Sequence, residues 1–338
     1  MKPQSLLLPA IFTLICLFAL SSCQKRHYFM DQGYIFGTSY HITYSSTKDL
    51  QPEIEAELKK FDASLSMYNP ESTLSRINRA GTEKIDLRNE PWTLKVIRES
   101  IKLSALTHGA FDITVAPLVN LWGFGFEKPE KVSPQKIDSI KKFVGYKLLR
   151  LEDGILSKAD ARVQLDASAV AKGYACDVVA EYLRKKGIKN YLVEIGGEMT
   201  LNGKNAKGTD WRIGINKPVD DPTSTNMDLE EKLTLTGKSI ATSGNYRKFY
   251  EKNGKRYAHT IDPASGYPVQ HSLLSATVIA NDCLTADALA TSFMVMGVDS
   301  AMALAERLPD IEGYFIYNDG SSENKTCQTS GVQAFKNR

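Results

Sequence analysis

The sequence predicts an α+β fold. Strand-like and helix-like stretches interleave along the chain, but without the roughly 30-residue strand–helix–strand cadence of a parallel α/β sheet. The composition, 42% hydrophobic and 24% charged over 338 residues, is that of a globular protein with a sizeable core. No internal repeat or low-complexity segment interrupts it.

At the N-terminus, Met1-Lys2 precedes an apolar run from Leu6 to Leu20, followed by Ser21-Ser22-Cys23. That run is short for a membrane span and suits the hydrophobic region of a signal peptide. Leu20-Ser21-Ser22-Cys23 fits the lipobox of bacterial lipoproteins, where cleavage before the cysteine leaves a lipidated N-terminus. Residues 1–22 are therefore expected to be a leader, Cys23 the lipidated residue, and residues 23–33 a tether. The body, 34–338, would then sit in the bacterial cell envelope, on the periplasmic side. One acylated cysteine anchors a folded body to a bilayer without a transmembrane helix.

The elements follow in order. From Tyr34 to Tyr44 apolar and polar residues alternate through Ile35, Tyr40, Ile42 and Tyr44, which predicts a strand. Pro52 in a first turn, with Ile54, Leu58 and Phe61 at helical spacing, predicts a helix. Pro91 to Thr107 is a second, with Leu94, Ile97, Ile101 and Ala105 as its stripe and His108-Gly109 as its stop. Asp166 or Ser168 is placed to cap a third, whose stripe is Val170, Tyr174, Val178 and Tyr182 and whose end is Gly187. Residues 191–195 then read as a buried strand closing on Gly196-Gly197. Further strands are expected at 211–215, 239–242, 256–261 and 275–280. A helix from about Thr285 to Met296 should end at Gly297, with Asp299 or Ser300 capping another. The stretch 217–232, with two Pro and five Asp/Glu, is expected to be a solvent loop, and the tail after Asn318 weakly structured.

Charge and cysteine usage exclude several functions. The formal net charge of +3 gives no phosphate-tracking surface, so a nucleic-acid partner is not expected. Cys176, Cys283 and Cys327 are widely spaced and form no CxxC pair, which rules out a thiolate zinc site and a thioredoxin-like motif. A Cys283–Cys327 bridge is left open. Gly237-Lys238-Ser239 is not a P-loop, because Lys232 stands where its first glycine should be, and Gly123-Phe124-Gly125 lacks the third glycine of a dinucleotide turn.

Three groups of residues could carry chemistry. Asp287 and Thr291 are four apart, so on a helix their oxygens share a face one turn apart. A carboxylate and a hydroxyl suit a hard cation such as Mg²⁺; the same pair is also what helix capping and hydroxyl back-bonding would give. His259, just ahead of the turn Asp262-Pro263-Ala264-Ser265-Gly266, is placed for general-base work, or is structural like His27, His41, His108 and His271. Lys172 lies near a helix N-terminus, where a cation is misplaced unless an anion compensates it. The aromatic rings of Phe36, Tyr68 and Phe111 could stack on a flat ligand or fill a core.

Eight segments in order resemble the FAD:protein FMN transferase (ApbE-type) family over nearly the whole mature chain. They are GT at 37–38, SMYNPESTLSRIN at 66–78, GAFDITVAPLVNLWGFG at 109–125, DASAVAKGYACD at 166–177, YLVEIGGEMTLNGKN at 191–205, IATSGNYRKFY at 240–250, RYAHTIDPASGYPV at 256–269 and TADALATSFMVMG at 285–297. The resemblance implies a single large catalytic domain of two packed α/β subdomains with the active site in the cleft between them. It also implies a reaction, cleavage of FAD and attachment of FMN by a phosphoester to a Thr or Ser of an acceptor protein, with release of AMP. Residue by residue, it places Mg²⁺ on the backbone oxygen of Ala169 and on Asp287 and Thr291. It places FAD against Phe36, Tyr68, Ala110, Phe111, Asp112, Asp166, Lys172 and backbone near Ala258. It makes His259 the catalytic histidine. At Phe36 the chain departs from the family, which commonly has Met there. The acceptor motif in such systems resembles Asp-x-x-(Ser/Thr)-Gly-Ala-Thr, which this chain lacks, so the expected acceptor is another exported protein such as a membrane redox subunit. A Mg²⁺-dependent FAD pyrophosphatase and a non-catalytic FAD-binding lipoprotein are the alternatives.

Overall fold

The computed structural model describes residues 26–125, 132–218, 228–245, 249–252 and 255–336. The expected leader and Cys23 lie outside the described residues. In chain order the elements are β1 (His27–Ile35), β2 (Thr38–Ser46), α1 (Gln51–Leu65), α2 (Thr73–Arg79), β3 (Ile85–Asp86), α3 (Pro91–Leu106), α4 (Ala116–Leu121) and α5 (Pro134–Lys141). There follow β4 (Leu149–Glu152), β5 (Ile155–Lys158), α6 (Ala171–Lys185), β6 (Tyr191–Ile195), β7 (Glu198–Asn202), β8 (Trp211–Asn216), β9 (Leu229–Leu235) and β10 (Lys238–Gly244). The chain closes with β11 (Phe249–Lys252), β12 (Lys255–Ala258), β13 (Leu273–Ala280), α7 (Cys283–Met296), α8 (Val298–Ala305), β14 (Glu312–Tyr317), β15 (Lys325–Gln328) and α9 (Gln333–Lys336).

The centre is an eight-stranded sheet in the order β1-β2-β6-β7-β10-β13-β14-β15, with every neighbouring pair antiparallel. Its residues alternate between two cores, as the period of a strand requires. Val193, Ala241, Val278 and Phe315 face a helical layer that includes α1, α3, α6 and α7. Leu201, Ile240, Ile279, Tyr314 and Ile316 face the β8–β9 hairpin, which contributes Trp211, Ile213, Ile215, Leu233 and Leu235. A third, small cluster joins Leu118, Leu121 and Trp122 to Ile137, Ile140 and Ile261. The mixed α+β class is therefore as expected. The helices at Pro52 and Pro91 form as predicted, and the first buries Ile54, Leu58, Phe61 and Leu65 along one stripe.

Several expectations need correction. The segment expected to be a tether is, from His27 onward, strand β1, fixed by pairing along β2 and by Phe29 stacking on Tyr44 at 5.7 Å. The single strand predicted at 34–44 is two strands, because the chain reverses at Phe36-Gly37, both with positive φ (53° and 75°), as a two-residue hairpin turn requires. Part of the stretch expected as solvent loop is β9, whose Leu233 pairs with Ile213 in an apolar layer. The tail after Asn318 carries β15, paired to β14, and buries Val332. Neither Asp166 nor Ser168 caps α6: Val170 holds that position, and Asp166 Oδ1 instead accepts from Ser168 N at 2.7 Å. Gly297 precedes α8, leaving Asp299 in its first turn. The strand expected to reach Ile261 ends at Ala258. Cys176, Cys283 and Cys327 are free thiols, so the bridge left open is not formed.

Candidate active site

Helices α6 and α7 cross at a glycine. A Cβ added to Gly173 would lie 2.3 Å from the Cys283 carbonyl oxygen and 2.8 Å from Asp287 Cβ, so only glycine permits this approach. Gly173 is the third residue of α6, so its N–H is one of the donors that a helix start leaves without an intrahelical partner. Here it donates to Asp287 Oδ2 at 3.0 Å. Asp287 is thus held against the start of α6, and Thr291 follows it by one turn of α7. Thr291 Oγ1 lies 3.1 Å from Ser243 Oγ on β10. Asp287 is buried, and burial pushes its carboxyl pKa upward against the pull of Lys172 and the Gly173 N–H.

Lys172, in the first turn of α6, resolves the anomaly of a cation at a helix start. Its Nζ lies 3.3 Å from Glu198 Oε1 and 3.4 Å from the Ser168 carbonyl oxygen, to which it donates. Burial disfavours the ammonium, but Asp287 and Glu198 outweigh it and raise its pKa. The compensating anions are thus supplied by the chain itself. Glu198, at the start of β7, is buried, and its Oε2 has no hydrogen-bond partner among the described residues. The sequence placed Glu198 in a chemistry-bearing segment but gave it no role. The preceding turn packs tightly here: a Cβ on Gly196 would meet Thr38 Cγ2 at 2.9 Å and Lys172 Cδ at 3.2 Å.

Beside this cluster, a cleft of about 270 Å³ is lined by Met67, Tyr68, Asn78, Arg79 and Asp166 among others. Tyr68 stands exposed on its wall. Asn78 braces the floor by donating to the Leu165 carbonyl oxygen at 2.9 Å and accepting from Leu165 N at 2.7 Å. The 110–112 segment joins the same wall, since Asp166 N donates to the Ile113 carbonyl oxygen at 2.6 Å. Its side chains are already committed. Phe111 is buried in the main core, and Asp112 accepts from Thr114 N, Thr114 Oγ1 and Tyr146 N. A ligand meeting Ala110 to Asp112 would therefore use backbone. Phe36 sits at the tip of the β1–β2 turn with its ring edge-on to Phe61 at 5.6 Å.

His259 follows the end of β12 and packs edge-on against Phe124, with ring centroids 6.4 Å apart. Thr260 Oγ1 donates to Asn245 Oδ1 at 2.8 Å, and Asn245 lies two residues beyond the Ser243 that meets Thr291. His259 is thereby tethered to the end of β10 whose Ser243 meets Thr291. The turn beyond it is held by Trp122 Nε1, which donates to the Gly266 carbonyl oxygen at 2.8 Å.

Lys172 between the carboxylates of Asp287 and Glu198, with the Thr291 hydroxyl one turn beyond Asp287, is an arrangement able to meet a phosphorylated ligand and a hard cation. More narrowly, the chain belongs to the ApbE family, whose model matches residues 36–315. It is 41% identical over 306 residues to the FAD:protein FMN transferase of Vibrio cholerae serotype O1, covering 88% of this chain and 90% of that one. The FAD:protein FMN transferase of Haemophilus influenzae is 40% identical over 315 residues, covering 89% and 90%. The solved flavin transferase ApbE from Vibrio cholerae superposes with a TM-score of 0.83 at 38% identity, over 92% of this chain and all of that one.

Proposed function

We infer that this protein is a flavin transferase, which cleaves FAD and passes FMN to a Thr or Ser hydroxyl of an acceptor protein, releasing AMP. The observation that carries the reading is the Gly173–Asp287 contact with Lys172 alongside, in a chain that belongs to the ApbE family.

The residues present fit Mg²⁺. Asp287 spends one oxygen on Gly173, and its Oδ1 makes no hydrogen bond among the described residues. With Thr291 Oγ1 and the Ala169 carbonyl it gives three hard oxygen donors, the kind Mg²⁺ accepts when substrate phosphates and waters complete its shell. Among the described residues no cluster of three His, Cys, Asp or Glu side chains is placed to hold a metal, so the site depends on such mixed donors. When bound, Mg²⁺ would neutralise charge that builds on the pyrophosphate oxygens.

The chain's own groups divide the remaining work. Lys172 and the start of α6 face the phosphates with a fixed positive charge. Tyr68, Asp166 and the backbone of Ala110 to Asp112 bind FAD along the cleft, with Phe36 and Ala258 flanking it. His259 takes the proton from the acceptor hydroxyl as that oxygen attacks the FMN phosphorus. In Asp262-Pro263-Ala264-Ser265-Gly266, Asp262 is spent on its own turn, accepting from Ala264 N at 2.9 Å and Ser265 N at 3.1 Å. This supports an acceptor in trans. We place that acceptor in the cell envelope, as an exported protein bearing an Asp-x-x-(Ser/Thr)-Gly-Ala-Thr-like motif, such as a redox subunit of the membrane, with this enzyme anchored nearby through lipid on Cys23.

The test is AMP release from FAD and Mg²⁺ with and without an acceptor peptide carrying that motif. Acceptor-dependent AMP release is the expected result. Equal release of AMP and free FMN without acceptor would instead make the protein a pyrophosphatase, and FAD bound with no AMP would make it a carrier.

A further inference from the structure

Asp287, Lys172 and Glu198 form a row of three charges, with both carboxylates buried and the lysine partly exposed between them, and the outer carboxylate has no part in the mechanism above. Glu198 is anchored firmly. It opens β7 in the middle of the sheet, follows the Gly196-Gly197 turn, and its backbone carbonyl oxygen accepts from Cys176 Sγ on α6 at 3.2 Å. Its Oε1 meets Lys172 at 3.3 Å, while Oε2 is buried without a partner among the described residues. An unpartnered buried carboxylate oxygen is costly, and its retention calls for a reason beyond packing.

We propose that Glu198 is a positioning residue, which holds the Lys172 ammonium in place when a divalent cation occupies Asp287. The inference rests on the reading of Lys172 as a phosphate-binding residue and of Asp287 as a cation ligand. With the site free of metal, Lys172 is drawn to both carboxylates. A divalent cation on Asp287 cancels that half of the attraction and repels the ammonium. Glu198 is the remaining counter-charge, and its open Oε2 can accept an N–H if Lys172 leaves the long Ser168 contact. With both carboxylates ionised the row carries two negative charges and one positive; burial pushes the Glu198 carboxyl pKa up to about 8, against the pull of Lys172. Adding a divalent cation makes it net positive, which suits an anionic pyrophosphate.

Glu198→Gln keeps the shape and removes the charge. FAD binding, followed by flavin fluorescence on the full chain, is measured for wild type, E198Q, K172M and the double variant, in Mg²⁺ and in EDTA. In Mg²⁺, E198Q is expected to weaken FAD binding about tenfold, K172M at least as much, and the double variant no more than K172M alone. In EDTA the loss in E198Q should shrink to about twofold or less, since Asp287 then holds the lysine. Glu198→Asp, which retains the charge, should restore most of the affinity in Mg²⁺, and this holds as a test even if E198Q folds poorly. An E198Q loss that is equal in EDTA, or that adds fully to K172M, or an E198D variant no better than E198Q, would overturn the proposal. If K172M leaves FAD binding intact, the phosphate role of Lys172 fails and the proposal with it.

Discussion

The Gly173 N–H donates to Asp287 Oδ2 at 3.0 Å, across the crossing of α6 and α7. This bond couples the two helices to the site: it orients the only carboxylate of the inferred cation set and satisfies an N–H that the start of α6 leaves open. The relationship depends on a residue without a side chain, because the nearest atom to an added Cβ is the Cys283 carbonyl oxygen, a backbone atom that cannot step aside.

Gly173→Ala should therefore separate α6 from α7. We expect a loss of about 3 kcal/mol in stability, from overpacking against backbone, together with weakened cation binding. Urea denaturation measures the first and Mg²⁺ titration of FAD binding the second. An alanine variant with unchanged midpoint and Mg²⁺ response would show that the crossing relaxes freely.

His259→Ala should slow transfer far more than it weakens FAD binding. A general base contributes on the order of 10²- to 10⁴-fold to rate, and its removal should appear in kcat, with the FAD affinity changed only slightly. Single-turnover transfer rates and flavin fluorescence separate the two. Normal transfer in the variant would assign the proton to another group.

Asp177 gives a pH signature. Its carboxylate accepts from Cys283 N and Leu284 N at the start of α7 and from Thr200 Oγ1, each at 2.9 Å. Burial outweighs these bonds and pushes its pKa up to about 6. A raised folded value means that the folded state favours the protonated form. The associated stability is complete below about pH 4 and lost as pH rises through about 6, an effect on the order of 3 kcal/mol. Asp177→Asn removes that dependence. The difference in urea midpoint between wild type and D177N should shift in the variant's favour from pH 4 to pH 7. A constant difference would contradict the assignment.

The elements legible in the sequence are those with a strong local period. Ile54, Leu58 and Phe61 announce α1 without knowledge of what they pack on, and Tyr191, Val193 and Ile195 announce β6 by their alternation, all three buried. β1 is not legible, because its mix of His27, Met30, Asp31 and Gln32 becomes a strand only through pairing with β2. The β4–β5 hairpin did carry a local signal, Asp153-Gly154, whose positive φ angles of 48° and 78° are those of a two-residue turn. Within the site, Asp287, Thr291 and Lys172 were visible as motif residues. The part played by Glu198 was not, since it exists only where β7 comes alongside α6. Likewise Asp177 caps a helix that begins more than a hundred residues later, a relationship no local pattern encodes.

The most direct test is intact-mass analysis of an acceptor protein incubated with FAD and Mg²⁺, using wild type and Asp287→Asn in parallel. The account predicts that wild type adds the mass of an FMN phosphoester to the acceptor and releases AMP, while D287N does neither yet still binds some FAD. An acceptor labelled equally by D287N, or left unlabelled by wild type while AMP and free FMN accumulate, would contradict it.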